Sequence, residues 1–156
     1  MEEQSQIFLD NYLNALSEHE REKYQSFSSD YFCADEYNAN LCAELIRVGK
    51  KAATCSQIIW YESGKEPMPT VGHLQVVVDW DGKPICIIET DSVETCKYNE
   101  VTAEFAYAEG EGDRSLKWWR KTHWDFFATE CYELGIEPNE SMVLVLEKFH
   151  VVHHST

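Results

Sequence analysis

The stretch that most restricts the fold is HLQVVVDWDGKPICIIETDSVETC, residues 73–96. Leu74, Val76, Val78 and Trp80 fall at every second position, the period of a strand whose successive side chains face opposite ways. Asp81-Gly82 is a two-residue hairpin signal, because glycine takes the left-handed backbone such a turn needs. KPICIIETDSVETC then returns as the partner strand.

The segments around this hairpin repeat differently. IFLDNYLNALSEHEREKY has helical spacing at Ile7, Tyr12, Leu13 and Leu16 and predicts an amphipathic helix. QSFSSDYFC follows as a polar, aromatic loop. NANLCAELIRVG places Leu41, Leu45 and Val48 on one stripe and Gly49 where a helix stops. TCSQIIW reads as a strand, and YESGKEPMPTVG as a loop punctuated by Gly64, Pro67 and Pro69. TAEFAYAEG reads as a short helix. SLKWWRKTHWDFFATECYEL reads as a long one, capped by Ser115, ended by Gly135 and striped by Leu116, Trp119, His123, Phe126, Phe127 and Leu134. SMVLVLEKFHVV is the last strand and HHST a frayed tail.

Strands clustered mid-chain and returning at the end, with helices outside, predict an α+β fold: a small, mostly antiparallel β-barrel flanked by helices. A length of 156 residues fits one domain. The expected division is a helical segment at 1–29 packed on a domain at 30–152, with a tail at 153–156.

Charge narrows the partners. A formal net charge of −15 argues against neutralising the phosphates of long DNA or RNA. Seven of the thirteen basic residues nevertheless lie in two short stretches: Arg47, Lys50 and Lys51, then Arg114, Lys117, Arg120 and Lys121. Joined in space, these would make a cationic spot for a small anionic or polar ligand, or for one short piece of RNA. The acidic MEEQSQ start and the lack of a long apolar run predict a soluble, cytoplasmic protein without membrane contact. Six scattered cysteines, without C-x-x-C, read as reduced and structural.

RVGKKAATCS, residues 47–56, sets Lys51 three positions before Thr54. Residues three apart on a strand face opposite ways, whereas a turn or helical exit after Gly49 brings them together. A lysine beside a threonine hydroxyl eases alkoxide formation, or takes its proton if burial lowers the amine's pKa. Spacing alone favours a plainer account, a lysine complementing a helix C-terminus and a threonine starting a strand.

Glu89 ends the run ICII on the strand face of Ile85 and Ile87, where partial desolvation raises a carboxyl toward acid–base use. Alone, it reads better as a surface glutamate. In AEGEGDRSLKWW, two glycines permit an unusual path, and Ser115 opens a helix whose free N–H groups can receive an anion. Glu111, Asp113 and Arg114 crowd polar groups there, and Trp118 or Trp119 can stack on a base. An acidic loop with an ordinary cap and packing tryptophans accounts for it equally well. His123 reads as a hydrogen-bonded core histidine. His150, His153 and His154 lack a matching partner set for a metal.

GKKAAT at 49–54, ICIIETDSVE at 85–94 and GEGDRSLKWWRKTHWDFF at 110–127 together resemble the ASCH-domain family, over roughly residues 30 to 150. The resemblance implies the PUA-like superfold, a small β-barrel associated with RNA. One small bacterial branch is an amidohydrolase that deacetylates 4-acetylcytidine with a lysine, a threonine three residues later and a glutamate on a later strand. Carried over, those are Lys51, Thr54 and Glu89. Thr54 would attack the acyl carbonyl, Lys51 would activate it and stabilise charge, and Glu89 would carry the proton to the leaving amine. Other members are a ribonuclease and RNA-binding modules. The extra N-terminal helix, the GEGDRS loop and the Trp-rich helix set this chain apart from the short branch.

The resulting expectation is a hydrolase of an acylated nucleoside or short RNA element, with Lys51, Thr54 and Glu89 catalytic and a nucleoside, nucleotide or short RNA as the partner. Arg47, Glu111, Asp113, Arg114, Ser115 and Trp118 are expected around the ligand, with no metal or cofactor. The alternatives are a non-catalytic RNA- or nucleotide-binding module and a metal-independent ribonuclease. Oligomeric state is not legible.

Overall fold

The computed structural model describes residues 1–155. Two helices, α1 (Glu3–Asn14) and α2 (Glu18–Arg21), precede strand β1 (Phe27–Asp30) and helix α3 (Glu36–Arg47). Next come β2 (Ala53–Gln57), the one-turn α4 (Ile59–Glu62), β3 (Leu74–Val78) and the long β4 (Pro84–Lys97). Helices α5 (Ala103–Glu109) and α6 (Leu116–Glu133) lead to β5 (Val143–His154). The strand order is β1-β3-β4-β5-β2, with β1 parallel to β3 and every other pairing antiparallel.

The sheet curls without closing, because its edge strands β1 and β2 do not pair. Both edges instead line one cavity of about 290 Å³, with Ser28 and Ser29 on one side and Thr54 and Ser56 on the other. Register shifts in β4 between Ile87 and Ile88 and between Thr90 and Ser92 supply the bend, since a bulge sharpens strand twist. The barrel expectation therefore holds as a strongly curved, open sheet.

The two sheet faces carry separate cores. On one, Leu9 of α1 packs with Leu74, Val76, Val78 and Ile87. On the other, Ala43 and Ile46 of α3 pack with Val77, Cys86, Ile88 and Phe149. A third cluster joins α5 and α6 to Ala53 and Leu144 through Phe105, Trp119 and Phe127.

Several local expectations change. The loop QSFSSDYFC contains β1, whose parallel pairing to β3 places Ser26 and Ser28 hydroxyls 2.6 and 2.7 Å from the two nitrogens of His73. TCSQIIW is half strand and half helix, breaking at Ile58. The buried face of α3 is Ala39, Cys42, Ala43 and Ile46, not Leu41 and Val48, which are exposed. Small side chains let α3 lie close to β4 and β5, and a search for large apolar residues passes over them. Phe126 of α6 and Leu134 at its C-cap are likewise exposed. The frayed tail is a correction too: β5 runs through His154, and His153 packs against the rings of Phe8 and Tyr12. No helix among the described residues is long and apolar enough to cross a membrane.

Candidate functional site

Lys51 follows the C-terminus of α3. Gly49, at φ 81°, turns the chain out of the helix, and the N–H groups of Lys50 and Lys51 both donate to the Leu45 carbonyl at 2.9 and 3.0 Å. From Ala52 onward the backbone is extended, donating to Ala108 and accepting from Phe149. Lys51 therefore lies outside β2, and strand alternation does not fix where its side chain points.

That side chain is only 2% exposed. Its ammonium donates to the Glu109 carbonyl at 3.2 Å, Glu109 Oε1 at 3.4 Å and Glu111 Oε2 at 3.0 Å. All three N–H bonds thus have acceptors. Burial alone would lower the amine's pKa, but the Glu109 and Glu111 carboxylates outweigh it and hold the pKa above its ordinary value. A raised pKa favours the cation, which suits easing alkoxide formation and not the alternative of taking the threonine proton.

Glu109 ends α5 and is as buried as its partner. Its Oε2 accepts from Trp119 Nε1, lies 3.1 Å from His123 Nε2 and receives the Cys55 thiol at 3.6 Å. Burial pushes this carboxyl upward, but Lys51, His123 and Trp119 together bring it down to about 2. His123 Nδ1 faces the Trp119 carbonyl at 2.9 Å, and its ring stacks on Trp119 at 4.3 Å between centroids. Positions 119 and 123 are one helical turn apart, so α6 presents both to Glu109.

Lys51, Cys55, Glu109 and His123 line a cavity of about 280 Å³, just under the roughly 300–1,000 Å³ of drug-sized ligand pockets. Its walls include Phe32, Trp118, Phe126 and Phe127, with Thr54 and Glu111 also facing it. Glu111 is 22% exposed, which makes it the more accessible of the two carboxylates on Lys51. Aromatic walls above a hydrogen-bonding floor suit a planar, polar heterocycle. The curled-sheet cavity adjoins it, and Phe32, Thr54 and Cys55 line both.

The loop between α5 and α6 depends on two glycines. Gly110 has φ 74° and an added Cβ would overlap the Lys50 carbonyl; Gly112 has φ 60° and a Cβ would overlap the Trp118 indole. This close approach lets Glu111 reach Lys51 and seats Trp118 at the cavity wall.

Glu89 stands elsewhere. It shares the α1 face of the sheet with Leu74, across from it in register, and accepts from Tyr24 Oη at 2.5 Å. Its neighbours Ile88 and Thr90 line the sheet cavity, so alternation turns Glu89 away from it. Lys51 and Thr54 come together at one cavity, and Glu89 does not join them. Glu111, expected only as a ligand contact, is the glutamate beside Lys51.

Of the other expected ligand residues, Trp118 alone lines the same cavity. Ser115 caps α6 by accepting from the Trp118 N–H, and Asp113 accepts from the Ser115 N–H. Arg114 donates to the Tyr107 and Lys50 carbonyls and lies 3.5 Å over the Tyr107 ring. Arg47 pairs with Glu44 on the outside of α3. The two basic stretches do meet, where Arg114 touches Lys50, and Arg120 and Lys121 line an open cavity with Tyr98, Asn99, Trp124 and Glu140. Lys51 and Arg47 are neutralised by glutamates, and Lys121 pairs with Asp125 at 2.9 Å.

Glu109 escaped notice because a glutamate ending a short helix looks like surface. The usable signal was its place next to Gly110. Cys55, Glu109 and His123 have metal-ligand chemistry and lie within reach of one another. Lys51 already supplies the positive charge that balances Glu109, and a cation between these ligands would face an ammonium.

Residues 28–153 match the family model described as the ASCH domain. The chain is 62% identical to a crystal structure of an ASCH domain from Lactobacillus crispatus JV V101, with TM-score 0.96, covering 99% of this chain and 97% of that one. It is 28% identical to protein EF3133 from Enterococcus faecalis V583, with TM-score 0.82 and coverage of 99% and 91%. A third structure, hypothetical protein PH0355, shares the fold at 15% identity and TM-score 0.52, over 82% of this chain and all of that one. No curated protein matches the chain.

Proposed function

The chain belongs to the ASCH-domain family, and from that premise we propose that it is a hydrolase of an acylated nucleobase or nucleoside, worked by Lys51, Thr54 and Glu111. The observation that carries this reading is the Lys51–Glu111 contact of 3.0 Å at the floor of a cavity that Thr54 also lines. The aromatic walls hold the base, and the small volume favours a nucleoside over a polymer, in keeping with the net charge of −15.

The steps follow from the charges. An incoming amide N–H draws Glu111 away from Lys51, which frees one ammonium N–H for the acyl carbonyl oxygen. Glu111 accepts the Thr54 hydroxyl proton as Oγ1 bonds to the carbonyl carbon. Lys51, held as the cation by its two carboxylates, stabilises the tetrahedral oxyanion. The C–N bond then breaks while Glu111 returns the proton to the leaving amine. Water releases the acid from the threonine ester with Glu111 again as base, and one water is consumed in all.

The test is acid release from 4-acetylcytidine and related acylated nucleosides. Wild type should release it. Lys51→Ala, Thr54→Ala and Glu111→Gln should each reduce the rate by at least about a hundredfold. A wild type that leaves every acylated nucleoside intact overturns the reading.

Binding without cleavage is the second reading. It is supported by the engagement of every Lys51 N–H with Glu109 and Glu111, which leaves no donor free for an oxyanion unless Glu111 moves. On that reading Thr54→Ala keeps nucleoside affinity, and no product forms with any variant.

A further inference from the structure

We propose that Cys33 and Cys42 form a reversible dithiol–disulfide pair which, once oxidised by a peroxide, clamps the lip of the ligand cavity onto α3. Their sulfurs lie 3.0 Å apart, and a disulfide needs only about 1 Å of further approach. The two thiols differ as the partners of such a reaction should. Cys33 is exposed, in the short segment between β1 and α3, whereas Cys42 is buried on the inner face of α3. Cys33 also holds a left-handed backbone, φ 73°, rare for a side chain that is not glycine, asparagine or aspartate. That conformation turns its sulfur back toward α3.

The electrostatics agree with this division. The Cys42 S–H lowers the Cys33 pKa by hydrogen bonding to its sulfur, and the same contact, with burial, raises that of Cys42. The exposed sulfur is therefore the one with thiolate character, and reaction with peroxide requires the thiolate. Cys33 thiolate attacks one peroxide oxygen, the O–O bond breaks, and with one proton the products are a sulfenic acid and water. The Cys42 sulfur then attacks the Cys33 sulfur, and the hydroxyl leaves as a second water with the Cys42 proton. Two electrons pass from the thiols to the peroxide, and a dithiol reductant reverses the change.

The pair touches the site directly. Phe32, Cys33, Ala34 and Asp35 line the cavity, and Cys42 Sγ lies 3.6 Å from Glu111 Oε1. Oxidation would tether this lip to α3 beside the glutamate that also holds Lys51. The inference does not depend on what reaction the cavity performs, because its readout is the thiols themselves.

Trypsin releases both cysteines in one peptide, residues 24–47, which contains no other cysteine. After brief treatment of the folded protein with hydrogen peroxide, that peptide should lose two hydrogens and take up no iodoacetamide after denaturation. Dithiothreitol should restore labelling at both positions. Cys42→Ser should instead leave Cys33 as a sulfenic acid that dimedone traps, and Cys33→Ser should leave Cys42 fully alkylatable. Amide exchange over residues 31–35 should slow roughly tenfold in the oxidised protein. Two alkylatable thiols after peroxide, or dimers joined through Cys33, would overturn the pair. Unchanged exchange in an oxidised protein would overturn the clamp.

Discussion

Lys51 and Glu109 are each 2% exposed and lie 3.4 Å apart, an ion pair sealed between β2, α5 and α6. Neither charge has bulk water to turn to. Removing one partner strands the other, which costs about 3–5 kcal/mol for a buried pair. Lys51→Met and Glu109→Leu should each lower stability by that order in urea unfolding, and the double variant should lose much less than their sum. Glu111→Gln should cost about 1 kcal/mol, because partial exposure lets water replace what is lost.

Acid should act on the same pair. The Glu109 pKa is about 2 in the fold, against roughly 4.3 for an unfolded glutamate. A lowered folded pKa contributes stability that is present above the unfolded value and is lost as pH falls toward the folded one. Unfolding free energy should therefore decline from about pH 4.3 to about pH 2, and Glu109→Gln should flatten that limb. An equal slope in the variant would assign the limb to other carboxylates.

Glu147 should act in the opposite sense. Across from Thr54 in register and lining the sheet cavity, it is pushed up to about 7 by burial. The fold then binds a proton that the unfolded chain has already released. Its contribution is complete below about pH 4.3 and is lost as pH rises to about 7. Glu147→Gln should be more stable than wild type at pH 8 by roughly 1–2 kcal/mol and near wild type at pH 4. Matched urea titrations at the two pH values decide it.

Gly112→Ala should disturb the cavity more than the fold. An added Cβ runs into the Trp118 ring, so the indole must leave its wall position. A loss of about 1–3 kcal/mol is expected, with a shift in tryptophan emission and weaker nucleoside binding. Gly110→Ala, which strikes backbone at Lys50 rather than a side chain, should cost at least as much. Wild-type fluorescence and affinity in Gly112→Ala would remove Trp118 from the ligand wall.

Glu89→Gln separates the two glutamates. It alters a contact with Tyr24 on the α1 face and should leave turnover of any acylated nucleoside within about twofold of wild type. If this change abolishes turnover while Glu111→Gln does not, the assignment of Glu111 fails.

Much of the architecture was legible because local signals agreed with it. The alternation at residues 74–78, the β3–β4 hairpin, Ser115 as a cap and Gly49 and Gly135 as stops depend on nearest neighbours along the chain and stand in the structure. The hairpin, however, closes between Asp79 and Lys83 and is longer than the two-residue turn expected. Lys51 and Thr54 line one cavity, an encounter that spacing alone does not favour. Where local signals are weak, the structure departs from them. Four-residue β1 is polar and gains its pairing only from β3, and the inner face of α3 is built from alanine and cysteine.

The sequence alone determined which side chains were available: a lysine, a threonine, nearby glutamates and aromatic residues on a helix capped by Ser115. Only the tertiary structure decided which glutamate meets Lys51. Strand alternation turns Glu89 toward Tyr24, while the glycine-bounded loop after α5 folds back to bring Glu109 and Glu111, 58 and 60 residues distant, onto the ammonium. The physical reason is that a buried cation must be compensated by whatever carboxylates packing carries to it. Sequence separation contains no record of that encounter.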